Sequence, residues 1–247
     1  QLQLRVILAY NLIMNTYNQE KSKLVNSVFD RVYKNYDLMN DIMSFGIHRI
    51  WKKKLIDWMN PQKHEILVDV ASGTGDIANI FSKKNNHSAA IFCVEPNNEM
   101  YKIGKDNLKY LKNIKWVKAS AEKLPFKDNT FDFYTISYGI RNVSNINLTL
   151  SEALRVLKPG GRFMCLEFSR IDSEIINLLY QQYSKAIPLV GKYIVGSSKP
   201  YDYLIKSINE FYSQEELVLL MKDNGFSNIE YRNLSNGISA IHSGWKI

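Results

Sequence analysis

The sequence predicts an α/β fold: a mostly parallel sheet covered by helices on both faces. Three observations carry this. From residue 65 to residue 168, short apolar runs alternate with amphipathic helical stretches, the pattern of strands buried on both sides. One run, Ile66 to Ala71, breaks into Ser72-Gly73-Thr74-Gly75-Asp76 and then into Ile77, Ala78, Ile80 and Phe81 at helical spacing. A buried strand there turns straight into a helix, with backbone left bare for a ligand to approach. Near the C-terminus, Ser235-Asn236-Gly237 separates two final runs and reads as a hairpin.

The elements follow in order. Residues 22–45 place Leu24, Val25, Val28, Phe29, Val32, Tyr33 and Tyr36 at helical spacing. A second helix runs from Ile47 to Met59 and stops at Asn60-Pro61. Strands are predicted at 65–71, 89–95, 114–119, 131–137 and 162–168, with helices at 76–84, 98–110 and 146–157. Leu157-Lys158-Pro159-Gly160-Gly161 supplies the break between the last of these helices and its strand. Residues 171–209 are helical, rich in Tyr and Leu, and interrupted at Pro188, Gly191, Gly196 and Pro200. That is far longer than the roughly 2–6 residues such a connection needs, so it reads as a helical cap inserted over the sheet. Ser213 with Glu216 forms a capping box for a helix ending at Asn224-Gly225. Strands at 226–232 and 237–243 complete a seven-stranded sheet. The division expected is an N-terminal extension, 1–22, and a single domain, 23–247.

Composition bounds the function. The 247-residue chain, with 45% hydrophobic and 23% charged residues, suits one large globular α/β domain. No apolar run approaches the ~20 residues of a membrane span. Cys93 and Cys165 lie inside apolar strands, as buried thiols in a reducing compartment would. A net charge of +8 points to a solvated basic surface or an anionic partner. Residues 1–19 are acid-free and carry Arg5 among Leu, Ile and Tyr, which reads as the remnant of an amphipathic targeting segment. His64, His87 and His242 show no ligand spacing, so no metal is expected.

Ligands of open α/β sheets bind outside the carboxyl ends of the strands. The first strand delivers Gly73, Thr74 and Gly75 there, backbone able to meet the polar amino-acid part of a cofactor. The second ends in Glu95, placed to take both hydroxyls of a ribose. The third runs into Ser120-Ala121-Glu122, at the edge of an adenine, and the fourth ends in Ser137-Tyr138-Gly139 beside the reacting end. Gly73-x-Gly75-x-x-Ala78 also fits a dinucleotide fingerprint. Three features favour S-adenosylmethionine over NAD: the Lys158-Pro159-Gly160-Gly161 turn resembles that typical of S-adenosylmethionine-dependent methyltransferases, the terminal hairpin is similar to their antiparallel last strand, and Asp76 places a carboxylate beside the glycine turn. A carboxylate at Asp76 suits a methionine ammonium or sulfonium and repels a pyrophosphate. The fold expected is therefore the Rossmann-like class I S-adenosylmethionine-dependent methyltransferase.

Three segments sharpen this: Tyr36-Asp37-Leu38-Met39-Asn40-Asp41-Ile42-Met43-Ser44-Phe45-Gly46-Ile47-His48-Arg49-Ile50-Trp51, Ile136-Ser137-Tyr138-Gly139-Ile140-Arg141-Asn142-Val143, and Leu166-Glu167-Phe168-Ser169. With the end, Ala240 to Ile247, they make the chain resemble the ubiquinone/menaquinone biosynthesis C-methyltransferase family from about Ser27 onward. The resemblance implies methyl transfer from S-adenosylmethionine to a ring carbon of a polyprenylated methoxy-benzoquinol, with demethylmenaquinol as a further acceptor. It carries cofactor contacts over to Thr74, Glu95, Ser120, Ala121 and Ser137, with Glu95 standing where the family usually has Asp, and Ser120 where Asn or Asp is frequent. A lipid-bound acceptor, the positive charge and the acid-free N-terminal stretch together predict peripheral attachment to the matrix face of the mitochondrial inner membrane or beneath a bacterial membrane. A homodimer and a quinone-biosynthesis complex are the protein partners expected.

The sulfonium methyl is already electrophilic, so the protein must supply geometry and a nucleophilic carbon. Arg141 stays protonated and cannot be an unaided base; it is expected to stabilise a developing phenolate or hold a water that takes the proton. Asn142 is expected to orient the other oxygen, and His48, Asp37 and Tyr138 are the remaining candidates for proton handling. Each has a plainer reading: Arg141 as a salt bridge to a helix end, His48 as a packed and hydrogen-bonded residue, Asp37 and Asn40 as helix caps. Tyr180, Tyr183, Tyr193, Tyr201 and Tyr203 serve either to pack the cap or to line an isoprenoid channel. Two rival functions stand beside this. One is an RNA or other small-molecule methyltransferase, against which Ser137-Tyr138-Gly139-Ile140 replaces the Asn/Asp-Pro-Pro-Tyr/Phe element of base methylation. The other is a non-catalytic S-adenosylmethionine-binding scaffold.

Overall fold

A computed structural model describes residues 19–30, 33, 38, 40, 41, 44, 46–171 and 199–247. Its seven strands are β1 Leu67–Val70, β2 Ile91–Val94, β3 Ile114–Val117, β4 Phe131–Ser137, β5 Leu157–Phe168, β6 Ser227–Leu234 and β7 Ser239–Trp245. The helices are α1 His48–Met59, α2 Asp76–Lys84, α3 Asn98–Asn107, α4 Ile146–Val156, α5 Lys199–Asn209 and α6 Gln214–Asp223, with a 3-10 turn at Ile140–Asn142. A helical stretch over 19–30 precedes them.

The strands form one sheet in the order β3-β2-β1-β4-β5-β7-β6. Only β7 runs against both its neighbours; β1 through β5 pair in parallel. Two apolar layers sandwich the sheet. Trp51, Leu55 and Ile56 of α1 and Phe81 of α2 pack on one face with Leu67, Ile91 and Phe133. Leu150 and Ala153 of α4 and Leu217 and Met221 of α6 pack on the other with Tyr134, Ile136 and Phe163. Strand order reverses between β1 and β4, which leaves a crevice at their carboxyl ends.

Local signals give the boundaries. The capping box is present: Ser213 Oγ accepts from Glu216 N–H, and the Glu216 carboxylate accepts from Ser213 N–H. Ser235, Asn236 and Gly237 all take positive φ (48°, 55° and 89°), as a tight hairpin turn needs. Other ends shift by up to three residues, as where α3 stops at Asn107 and not at residue 110, and the largest difference is in β5. β5 begins at Leu157, not at residue 162, because the Lys158-Pro159-Gly160-Gly161 turn is drawn into the ladder. Gly160 N–H donates to Lys246 O (2.7 Å), and Lys246 N–H donates to Gly161 O (3.0 Å). The register with β4 jumps from Phe131↔Leu157 to Phe133↔Arg162 to absorb the bulge. The predicted helix 22–45 falls partly, and the cap from 172 to 198 wholly, outside the described residues; of the cap, α5 is described.

Helix α3 lies tightly against the glycine turn. A Cβ added to Gly104 would come 2.2 Å from Trp116 Cη2 and 2.6 Å from the Gly73 carbonyl oxygen. Helix propensity favours Ala over Gly by about 1 kcal/mol, but overpacking against backbone costs roughly 1–3 kcal/mol, so the clash wins. Gly104→Ala is expected to lower the denaturation midpoint and to weaken cofactor binding by displacing Gly73. A midpoint at or above that of the parent would refute this.

Candidate active site

The crevice holds a cavity of about 360 Å³, within the range of small-molecule sites. Gly73 from the β1 turn, Glu95 after β2, Ser120 and Ala121 after β3, and Tyr138, Gly139 and Asn142 after β4 line it. The predicted residues Gly73, Glu95, Ser120, Ala121 and Asn142 are thus brought together by four strand ends.

Glu95 is the polar centre. Its Oε2 accepts from Gly73 N–H (2.9 Å) and its Oε1 from Asn97 N–H (2.9 Å). Burial pushes its pKa up to about 7, offset in part by those two bonds. Each oxygen keeps a lone pair, so the carboxylate can still accept a pair of hydroxyls. The Glu122 Oε1 accepts from Ser144 N–H (2.6 Å) and Asn145 N–H (3.3 Å), tying the loops after β3 and β4 into one wall.

The roof comes from the helical stretch over 19–30, which sequence reasoning did not place at the site. Ser22, Val25, Asn26 and Phe29 line the cavity. They recur at i, i+3, i+4 and i+7, so one helix face carries both polar and apolar groups, and that mixture was the available signal. Asn97 holds this helix in place: its Oδ1 caps α3 through Glu99 and Met100 N–H, while its Nδ2 donates to Asp30 Oδ1 (2.8 Å).

Five predicted residues do not line the cavity. Thr74 is buried, with its carbonyl accepting from Asn107 Nδ2 (3.4 Å). Gly75 (φ +90°) caps α2, and a Cβ there would stand 2.5 Å from Leu108 Cδ1, so its missing side chain makes room for packing. Ser137 ends β4 with its Oγ buried and without a hydrogen-bond partner in the structure. Arg141, expected to face the acceptor, is instead buried against β5. Its Nη1 donates to Glu167 Oε1 (2.5 Å) and Tyr138 O (3.0 Å), and its guanidinium lies 5.5 Å from the Phe168 ring centroid. Arg141 is thus in an ion pair, but with a carboxylate of β5 and not with a helix end as its plainer reading expected.

His48 is also buried, with Nδ1 2.8 Å from Ser44 Oγ and 3.7 Å from Asp41 Oδ1. Burial and the nearby Lys52 lower its pKa to about 4, so the imidazole is neutral at physiological pH. Lys52 Nζ donates to Asp76 Oδ2 (2.7 Å). Burial opposes ionisation of Asp76, yet Lys52 holds its pKa below the usual value. That pairing weakens the argument that a bare Asp76 carboxylate would repel a pyrophosphate. Asp37 and the tyrosines at 180, 183 and 193 lie outside the described residues. Tyr203 of α5 reaches the site, donating its hydroxyl to Asn142 Oδ1 (3.0 Å). Cys93 and Cys165 are buried free thiols, as expected. Among the described residues no group of three or more His, Cys, Asp or Glu could hold a metal ion.

Asp69, in the middle of β1, is a buried carboxyl that the sequence reading passed over. Its Oδ1 accepts from Thr135 Oγ1 (2.8 Å), while Oδ2 has no hydrogen-bond partner in the structure. Burial raises its pKa from 3.8 to about 7, against the pull of Thr135 and Ser72. The folded protein therefore holds a proton that the unfolded chain releases, and stability present below the unfolded value of 3.8 is lost as pH rises toward 7. Asp69→Asn is expected to flatten part of that decline, measured as the denaturant midpoint at pH 5 and pH 8; an unchanged slope would remove Asp69 as its source.

The sequence matches the ubiE/COQ5 methyltransferase family over residues 14–246. The chain belongs to this family. Among its relatives, the ubiquinone/menaquinone biosynthesis C-methyltransferase UbiE of Brucella suis biovar 1 is 45% identical over 234 residues, covering 92% of this chain and 87% of that one. UbiE of Brucella anthropi is 46% identical over 234 residues, covering 92% and 89%. In fold, the chain is similar to an S-adenosylmethionine-dependent methyltransferase of Thermotoga maritima described as a possible histamine N-methyltransferase. That likeness has a TM-score of 0.64 at 24% identity and covers 90% of this chain and 100% of that one. As a ubiE/COQ5 methyltransferase, the chain is an enzyme of the S-adenosylmethionine-dependent class, and its sheet order with antiparallel β7 is the one expected of that fold. These relatives are bacterial and lend the mitochondrial placement no support. Among the described residues no helix is long and apolar enough to cross a membrane.

Proposed function

We propose that this protein methylates a ring carbon of a polyprenylated methoxy-benzoquinol, and of a demethylmenaquinol where one is supplied, using S-adenosylmethionine. One observation carries the reading: within a ubiE/COQ5 methyltransferase, a buried carboxyl with free lone pairs, Glu95, sits at the end of β2 beside the cavity-lining turn of Gly73. This donor set fits the cofactor. Glu95 would take the ribose hydroxyls, Ser120 and Ala121 would edge the adenine, and the Gly73 turn would meet the methionine portion. The unpartnered Ser137 Oγ stands at the end of β4, the strand expected beside the reacting end. When bound, S-adenosylmethionine supplies an electrophilic methyl group.

The chain's own residues do the rest. Asn142 lines the cavity with its amide held by Tyr203 OH and aimed at the Tyr138 carbonyl (3.3 Å), so it is placed to orient an acceptor oxygen. Val25 and Phe29 roof the cavity and exclude water. Neutral His48 lies off the cavity, which makes a positioning role for it the simpler assignment. Residues 23–247 act as one methyltransferase domain in this reading.

The acceptor sets the location. Each buried methylene holds a chain in a bilayer by ~0.8 kcal/mol, so a polyprenyl tail stays in the membrane and the enzyme must visit it. The net charge of +8 favours an anionic surface, and the bacterial relatives favour the cytoplasmic side of a bacterial membrane. High-salt washing should therefore release the protein from membranes; release by detergent alone would count against a peripheral visitor. Size-exclusion chromatography with and without membranes reads the homodimer and the larger assembly.

The decisive test offers paired benzoquinol and naphthoquinol acceptors, each with a short prenyl tail, with methyl-labelled S-adenosylmethionine. Label on a ring carbon is expected. Cofactor binding without turnover on either quinol would favour the scaffold reading, and label transferred to RNA would replace the substrate class.

A further inference from the structure

Tyr138 is a bulky residue in a conformation that suits glycine. Its φ is +55°, in the left-handed region, where a large side chain is strained and persists only when its surroundings hold it. Four bonds do so. Its N–H donates to Leu166 O (2.7 Å), and its hydroxyl lies 3.4 Å from Ser239 Oγ. Its carbonyl accepts from Arg141 Nη1 (3.0 Å) and from Asn142 Nδ2 (3.3 Å). The turned backbone matters because Tyr138 and the following Gly139 line the cofactor cavity. Gly139 is pressed against the β1 turn, and a Cβ on it would stand 2.6 Å from Ala71 Cβ.

Arg141 is itself fixed from the neighbouring strand. Glu167, 1% exposed near the end of β5, takes Arg141 Nη1 on Oε1. The same oxygen accepts from Phe168 N–H (2.9 Å), and Oε2 lies 3.5 Å from Arg141 N. Burial raises the Glu167 pKa and Arg141 opposes that rise, so the guanidinium is what favours the ionised carboxylate in the core. Arg141 Nε is buried and has no hydrogen-bond partner in the structure.

We infer that Arg141 and Glu167 form a positioning clamp that locks Tyr138 in its left-handed turn and so shapes the floor of the cofactor cavity, instead of presenting a charge to the reacting ring. The inference rests on reading this cavity as the S-adenosylmethionine site. It makes Arg141 and Glu167 positioning residues that act through the Tyr138 carbonyl.

The test removes the clamp without stranding a charge. Arg141→Met combined with Glu167→Leu replaces the buried pair with apolar groups, a swap that buried ion pairs tolerate. The affinity for S-adenosylmethionine is measured by calorimetry in this double variant, in Tyr138→Gly, and in all three changes together, with thermal unfolding as the control for folding. Removing the clamp should weaken binding about tenfold when Tyr138 is present, the size expected of one strained residue released. In the Tyr138→Gly background the same removal should matter less than about threefold, because glycine adopts the turn unaided. Equal losses in both backgrounds, or no loss in either, would overturn the clamp. So would unchanged cofactor affinity with abolished turnover on a short-chain methoxy-benzoquinol, which would put the Arg141 charge on the acceptor. Failure of the parent itself to bind S-adenosylmethionine would instead remove the reading of the cavity.

Discussion

Arg141→Ala is expected to cost about 3–5 kcal/mol of folding stability, the usual consequence of removing one partner of a buried ion pair. Among the described residues, Glu167 would keep only the backbone N–H groups of Phe168 and of position 141 as partners, in a site 1% exposed. Its carboxylate would then be stranded, and the proton it takes up instead removes one acceptor site. The Tyr138 carbonyl would also lose its 3.0 Å partner. In a chain of 247 residues each kcal/mol moves the melting temperature by roughly 2–4 °C, so the fall should be plain in a thermal scan. The joint change Arg141→Met with Glu167→Leu should recover most of it. A single variant within about 1 kcal/mol of the parent would show that the pair is not buried and coupled as described.

Glu95→Ala should weaken S-adenosylmethionine binding by about 10- to 100-fold, the equivalent of roughly 1.5–3 kcal/mol for a lost charged hydrogen-bonding partner. The environment of Glu95 adds a pH signature. Its pKa is pushed up to about 7, so near neutrality the free protein is divided between the protonated and ionised forms. Two ligand hydroxyls can both donate only to the ionised form. Affinity should therefore rise with pH through 7 and level off above it, losing up to about tenfold per unit below 7 if the ionised form alone binds. Glu95→Gln should abolish that dependence. The sign for folding is opposite: a carboxyl raised from 4.5 to about 7 favours the folded state at low pH, and this stability is lost as pH rises across that window. Calorimetric affinities independent of pH between 6 and 8 would remove Glu95 from the ribose contact.

Most of the fold was legible because the signals for it are local. Strand and helix alternation from Ile66 to Phe168 follows from side-chain periodicity, which a residue's near neighbours set. The capping box at Ser213, the left-handed turn at Ser235 to Gly237 and the stop at Asn60 are likewise fixed by a few adjacent residues. The family segments named the chemistry, and the strand-end rule brought Gly73, Glu95, Ser120 and Ala121 to one cavity. Local signals failed where the chain pairs across distance. The Gly160-Gly161 turn joins the sheet because Lys246 lies beside it, which no feature of the turn announces.

What the sequence determined by itself is the order of elements, the mostly parallel character of the sheet with its antiparallel last strand, and the strand ends that line the cavity. The tertiary structure alone decided what the polar side chains do. Arg141 reads as a free cation near the acceptor until β5 is set beside β4 and brings Glu167 within 2.5 Å. Asp76 reads as a bare carboxylate until α1 packs on α2 and supplies Lys52. Gly75 reads as an opening for a ligand until Leu108 fills the space, and the stretch over 19–30 reads as any amphipathic helix until Asn97 ties it over the cavity. The reason is physical. Backbone conformation answers to neighbours a few residues away, whereas a long polar side chain answers to whichever partner the packed strands and helices place within about 3 Å of it.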